Sequence, residues 1–360
     1  MTEPQPFIFD VHLDLSMNAM EWNRDLTQPL EKIRICEANQ TDKPDRSMGT
    51  VCLPEMRKGN VGLCVATQIA RYTKQKNPLP GWHSPAQAWA QSQGQLSWYN
   101  EVERQGELTQ ICNLEQLESH LEKWSTGQNK QLPIGYVLSL EGADSIITLQ
   151  HLESAYEKGL RAIGPAHYGP GTYAPGTGES GPLGNGATEL LREMERLNII
   201  LDVTHLSDTS LDQALDTFSG TVWASHCNCR TLVPGERQLN DHQLKRLIER
   251  GGVIGAALDA WMLIPGWQRG LTTPQSSGVK LSHVVNHIDY VCQLAGNSKH
   301  ACIGTDLDGG FGLEQSPGDM ESIADLQKLP SILGKRGYST DDINNVMGLN
   351  AIDILRSAWK

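Results

Sequence analysis

Eight short runs rich in apolar and β-branched residues recur along this chain, each followed by a polar or glycine-marked break and then a longer helical pattern. The runs are Phe7–Val11, Gly62–Ile69, Ile134–Leu140, Arg161–Ala166, Ile199–Thr204, Thr221–Ser225, Gly252–Leu258 and Ala301–Thr305. Helical spacing marks Pro85–Gln105, Leu114–Trp124, Thr148–Lys158, Ala187–Leu197, Thr209–Thr217, Asn240–Arg250, Leu281–Leu294 and Ser322–Lys335. A near-continuous apolar strand must be buried on both faces, and alternation with amphipathic helices meets that need through a parallel sheet covered by helices. Eight such units predict an α/β fold in which the sheet closes into a (β/α)8 TIM barrel rather than remaining open.

No internal repeat, low-complexity tract or interdomain linker interrupts the 360 residues, so one catalytic-size domain over 1–360 is expected. It ends in two helices within Ser339–Lys360, the first N-capped by Ser339 or Thr340. Three long excursions leave the regular pattern. Ser16–Asn60 has room for a helix and a loop, Gly169–Gly186 reads as an ordered but irregular surface loop, and Trp261–Lys280 reads as a lid or rim segment.

A net charge of −12 argues against nucleic acid or an anionic membrane surface as a partner. Met1–Ile8 carries neither a basic nor an apolar leader region, and no window is apolar enough to span a bilayer, so the expectation is a cytoplasmic protein. Of the eight cysteines, Cys64, Cys292 and Cys302 lie in apolar runs and read as small core residues. Cys227 and Cys229 form a C-x-C after His226, but no second pair lies nearby to complete a four-ligand zinc site, which favours packing at the barrel rim.

What ends each strand is the informative feature. The first predicted strand runs into His12-Leu13-Asp14, the third into Glu141, the fourth into His167, the fifth into His205, the sixth into His226 and the eighth into Asp306. In a parallel barrel all these ends share one rim, where active sites of the fold are built. Any one histidine there is ordinarily a capped or solvated polar residue; four of eleven, joined by carboxylates, are not expected from random placement. His12 and Asp14, two apart on extended chain, point the same way and can grip one ion; His205 and His226, from adjacent strands, can grip a second. Imidazole and carboxylate suit zinc and its neighbours. Glu141 lies between the pairs and could bridge ions roughly 3.5–4 Å apart, which would make hydroxide at neutral pH and polarise a carbonyl. Asp306 is placed to move protons, while Asp10 and Asp202 either orient metal-bound histidine or bind loop backbone.

These residues resemble the membrane dipeptidase (renal dipeptidase) family of zinc metallopeptidases, within the amidohydrolase-like barrels. The similarity spans nearly the whole chain and rests on Asp10-Val11-His12-Leu13-Asp14, Leu53-Pro54-Glu55-Met56-Arg57, Ser139-Leu140-Glu141-Gly142, Asp202 to Asp208, Ser225-His226, Ile303 to Gly309 and Met347-Gly348-Leu349-Asn350. The resemblance implies a dipeptidase with two zinc ions, held by His12 and Asp14 on one side and His205 and His226 on the other, with Glu141 between. It further implies that His167 supports the carbonyl oxygen, that Arg237 binds the terminal carboxylate of a dipeptide, and that Asp306 is the acid/base; Arg230 is an alternative for the carboxylate role. A homodimer is what the family leads one to expect. Two segments depart from the family's pattern, Ala257–Trp261 and the Gly169–Gly186 loop; Asp259 and Tyr168 are accordingly expected at the substrate pocket.

Two rival readings stand beside this one. Other amide or lactone hydrolysis on the same metal centre is opposed by His12-x-Asp14 where such relatives more often carry H-x-H, by His167 after the fourth strand where they carry a modified lysine, and by Glu141 after the third. A catalytically silent metal- or peptide-binding protein is opposed by the presence of every expected ligand together with Asp306.

Overall fold

The computed structural model describes residues 5–73, 79–126 and 132–360. Nine parallel strands form one sheet: β1 (Ile8–Leu13), β2 (Val61–Ile69), β3 (Leu108–Gln110), β4 (Ile134–Glu141), β5 (Leu160–Gly164), β6 (Ile200–Asp202), β7 (Val222–Ala224), β8 (Val253–Ala256) and β9 (Ala301–Ile303). β1 pairs with both β2 and β9, and β2 pairs with β4, so eight of the strands close into a barrel. These eight are the predicted ones, within a few residues at each end.

β3 lies outside the prediction. It pairs with Ile134–Tyr136 of β4, on the edge that β5 takes over from Leu138 onward. A three-residue strand has too few side chains to show a period, so only its neighbour reveals it.

The barrel interior is a packed core. Phe9 and Val11 of β1, Leu63 and Val65 of β2, Val137, Ala162, Ile200, Trp223, Val253 and Cys302 form one buried cluster. The C-terminal helix Asn350–Ala358 closes the bottom of that cluster with Ala351, Ile352 and Leu355. A second apolar layer packs the outer strand faces against the surrounding helices. Hydroxyl and amide side chains at Ser84, Asn113, Ser207, Asn240 and Ser339 cap their helices by accepting a bond from a backbone N–H of the first turn.

Two helical expectations change in detail. Ser322–Lys335 divides into a 3-10 segment, Ile323–Lys328, and an α-helix, Leu329–Lys335, because Pro330 has no N–H to continue the ladder and sits naturally in a first turn. The tail is one continuous helical run rather than two helices, with a π-turn at Asn345–Leu349. There Gly348 lies against the backbone of β1, where a Cβ would stand 3.1 Å from Phe9 N.

The Ser16–Asn60 excursion holds three short helices, Leu15–Met20, Leu30–Glu37 and Leu53–Lys58. The Trp261–Lys280 segment carries two single turns, Ala260–Leu263 and Pro274–Ser277. Gly169–Gly186 has neither helix nor strand and is held by isolated bridges, Tyr168 to Thr177 and Pro170 to Pro175. Cys64, Cys227, Cys229, Cys292 and Cys302 are all buried packing residues. Among the described residues, no helix is long and apolar enough to cross a membrane.

Near the top of the barrel, Gly255 on β8 and Gly304 after β9 both face the carbonyl of Ser225, where an added Cβ would stand 1.9 and 1.8 Å from its oxygen. The missing side chains let the β7 end lean inward, and the obstacle is backbone that cannot rotate away. Gly255→Ala is expected to lower stability by about 1–3 kcal/mol, read from urea unfolding.

Candidate metal centre

The aim of the rim side chains begins with an irregularity in β1. Asp10 pairs with Cys64 but Leu13 pairs with Ala66, so β1 carries one extra residue between them. Up to this bulge, at Phe9 and Val11, the odd-numbered side chains face the barrel interior. The extra residue flips the alternation, and His12 and Asp14 then face the barrel mouth. β4 has no such shift against β2, and Val137 and Glu141 keep the same inward phase to its end.

The six rim groups meet there. Glu141 Oε1 lies 3.2 Å from His205 Nε2, 3.3 Å from His226 Nε2 and 3.6 Å from His12 Nε2. His12 Nε2 is 3.7 Å from Asp14 Oδ1 and 3.8 Å from Asp306 Oδ1. Two ligand groups share one carboxylate: His12, Asp14 and Glu141 form one, and Glu141, His205 and His226 the other. His12, His226 and Asp306 form a third close set. These separations exceed hydrogen bonds in several cases yet leave room for an ion between them.

Electrostatics makes the same point. Burial, followed by the nearby Asp14 and Asp306, pushes the Glu141 carboxyl well above the usual range. Burial and then Asp14 do so for Asp306, and burial raises Asp14 to about 6. Burial lowers His12 to about 3 and holds His167, His205 and His226 well below the ordinary imidazole value. Crowded acids beside neutral imidazoles are the state in which a divalent cation binds best, since ligands must carry free lone pairs. His12 Nε2 is buried with no hydrogen-bond partner among the described residues. The donor set therefore fits divalent metal ions.

The outer nitrogens of the histidines are tied to hydroxyls. His205 Nδ1 meets Thr177 Oγ1 at 2.8 Å, His226 Nδ1 meets Ser225 Oγ at 2.8 Å, and the same Oγ lies 3.4 Å from His12 Nδ1. A hydroxyl that accepts from Nδ1–H leaves Nε2 bare for a cation. Thr67 Oγ1 donates to Asp14. Asp10 and Asp202 bind backbone: Asp10 accepts from His12 N and Thr305 N, and Asp202 from Thr204 N and Ser225 N. Of the two roles considered for these acids, the structure contains the loop-backbone one.

Above the rim opens a cleft of ≈ 330 Å³, a size suited to a small ligand, into which Glu141, His167, Arg237, Asp259 and Asp306 project. Arg237 is buried, donating to His226 O at 2.9 Å, with Cys227 Sγ at 3.5 Å. Arg230 points elsewhere, paired with Asp208 at 2.7 Å and bonded to Gln238 O. Tyr168 packs against His167 and His205 with ring centroids 5.0 and 5.1 Å apart. Asp259 accepts from Gln315 Nε2 at 2.8 Å and Trp261 Nε1 at 2.5 Å and lies 3.3 Å from Arg269. Burial raises its carboxyl to about 6.

Sequence reasoning missed Thr177, Thr67 and Arg71. Arg71 lies two residues past the end of β2, a charged residue at the rim, and its guanidinium reaches His167 Nδ1. Thr177 lies in an irregular loop with no local signal, and only tertiary contact brings it to His205.

Removal of metal should be visible in stability as well as in activity. Dialysis against a chelator is expected to lower the melting temperature, with a loss of about 4 kcal/mol when free ion had stood a thousandfold above its Kd. Elemental analysis before and after should show bound divalent metal lost, and His205→Ala should lower the amount bound.

The architecture and the rim residues can be set beside known proteins. A dipeptidase AC described as a metallo peptidase of family M19 superposes with a TM-score of 0.79 at 20% identity, over 99% of both chains. A metallo peptidase from Rhodobacter sphaeroides, solved with a phosphinate mimic of the dipeptide L-Ala-D-Ala, gives 0.77 at 19% identity, over 99% of this chain and 100% of that one. By sequence, dipeptidase tcpJ of Claviceps purpurea is 28% identical over 233 residues, 62% of this chain and 51% of that protein, so the match spans about half of the relative's length. Residues 4–360 match the model of the membrane dipeptidase family, peptidase family M19, and the chain belongs to that family.

Proposed function

We propose that the protein is a zinc-dependent dipeptidase that works with two ions. The observation that carries the reading is the Glu141 carboxylate shared between two ligand groups at the floor of a cleft walled by Arg237. The Rhodobacter protein holds a phosphinate mimic of a dipeptide, which lends support to a dipeptide as the ligand of this cleft as well.

Divalent ions at these ligands supply Lewis acidity, activating water and polarising an amide carbonyl. The chain's own residues do the rest. The planar fork of Arg237 binds the terminal carboxylate and so sets which amide bond lies over the rim. His167 Nε2, 3.9 Å from Glu141 Oε2, donates to the carbonyl oxygen as negative charge develops on it. Asp306, whose side chain is 15% exposed and 3.8 Å from His12 Nε2, takes the proton of the attacking water and delivers it to the leaving amine. Its left-handed backbone, φ 59°, turns the carboxylate back over the barrel mouth. Tyr168 and Asp259 wall the cleft and bear on which side chains fit.

Two substitutions test this reading. Asp306→Asn is expected to lower kcat on a responsive dipeptide by roughly 10²–10⁴ with metal content unchanged; equal turnover would remove the acid/base role. Arg237→Ala should raise KM by roughly tenfold to a hundredfold, the loss of about 1.5–3 kcal/mol of charge-assisted bonding. A C-terminally amidated dipeptide should be cleaved poorly by the parent and be indifferent to that change. Cleavage of amides without a free carboxylate, at parent rates in both proteins, would favour a broader amidohydrolase activity.

A further inference from the structure

Four histidines stand at one rim, yet what faces their Nδ1 atoms divides them. His205 and His226 each meet a hydroxyl, and His12 shares the Ser225 hydroxyl at longer range. A hydroxyl oxygen can accept the Nδ1 proton. His167 instead meets Nη2 of Arg71. A guanidinium carries five N–H donors and no acceptor, so Nδ1 of His167 must be the acceptor. A neutral ring that accepts at Nδ1 has its proton on Nε2, the atom aimed at Glu141 Oε2 from 3.9 Å.

The ring plane is fixed separately. Tyr168 meets it edge-on at 5.0 Å and His205 at 4.6 Å with an interplanar angle of 77°. Arg71 is itself anchored, donating from Nη1 to Pro80 O at 2.8 Å. The carboxylates of Asp144 and Glu141 also attract Arg71 electrostatically.

From this geometry we infer that Arg71 is a positioning residue that commits His167 to the Nε2–H tautomer. That choice makes His167 a donor to the developing oxyanion and bars its Nε2 from ligating a metal. Four imidazoles within one cluster would otherwise compete for the ions. The kinetic part of the inference rests on the dipeptidase reading above; the tautomer part does not.

The test uses zinc-loaded protein labelled with 15N-histidine, with His167→Asn identifying the His167 signals. Long-range 1H–15N spectra of the parent should show His167 protonated at Nε2, with Nδ1 shifted as a hydrogen-bonded acceptor. In Arg71→Met, Nδ1 should move to the position of a free acceptor or take up the proton, and Arg71→Lys, which keeps a donor, should return it partly. On a dipeptide cleaved by the parent, Arg71→Met should lower kcat about tenfold to a hundredfold, with KM within about twofold. An unchanged Nδ1 signal in Arg71→Met overturns the inference, as does a changed signal with kcat unaffected. A rise in KM alone would make Arg71 a substrate-binding group and overturn it too. A parent with no dipeptidase activity would sink the functional reading, while the spectra would still decide the tautomer.

Discussion

Glu141 is buried at the end of a strand with three imidazole nitrogens within 3.6 Å of one of its oxygens and two further acids in the same cluster. Several like charges removed from water repel one another at close range and lose hydration, a combination that protein packing alone does not offset. Positive charge must enter the cluster for the carboxylates to remain ionised. The rim is arranged around that demand: its imidazoles are kept neutral by burial, and their Nε2 atoms converge on a shared carboxylate, those of His205 and His226 standing 3.1 Å apart. A divalent ion satisfies both conditions at once, which a protonated side chain would not.

Holding such a cluster open needs a rigid frame, and the barrel provides it in layers. The bulge in β1 sets the phase of His12 and Asp14. Asp10 and Asp202 clamp neighbouring strand ends through backbone N–H groups, linking β1 to the segment after β9 and the end of β6 to that of β7. His205, Asp306 and Asp308 all adopt left-handed backbone, at φ 68°, 59° and 61°. Each such residue costs about 1–2 kcal/mol relative to ordinary conformations, so the strain is concentrated where side chains must turn over the mouth.

The first excursion is bolted to the same rim. Asp308 accepts from Thr50 N and Val51 N, and Arg24 joins it at 3.5 Å while pairing with Glu37 and Asp45 at 2.9 Å. These groups are almost wholly buried, so the network is justified by its completeness rather than by any single pair. It ties the Ser16–Asn60 segment, which carries cleft residues Met17, Glu21 and Trp22, to the loop that presents Asp306. The cleft wall and the Asp306 loop are thereby held by one connection.

Periodicity alone determined the barrel, because a strand buried on both faces and an amphipathic helix each leave an unmistakable pattern over their own length. The rim cluster followed from it: once His12, Asp14, Glu141, His205 and His226, with Asp306 beside them, are placed at strand ends, parallel topology puts them on one rim without further information. Segments without a period stayed illegible, among them the three residues of β3 and the π-turn at Asn345–Leu349, whose shape is set by Gly348 against β1. So did every contact between residues far apart in the chain. Arg71 and His167 are 96 positions apart, Thr177 and His205 are 28 apart, and nothing local to either marks the pairing. The sequence could name which side chains gather at the rim, since that depends on residue type and strand phase. What lies against each histidine nitrogen depends on how distant segments fold together, and only the tertiary structure decided that.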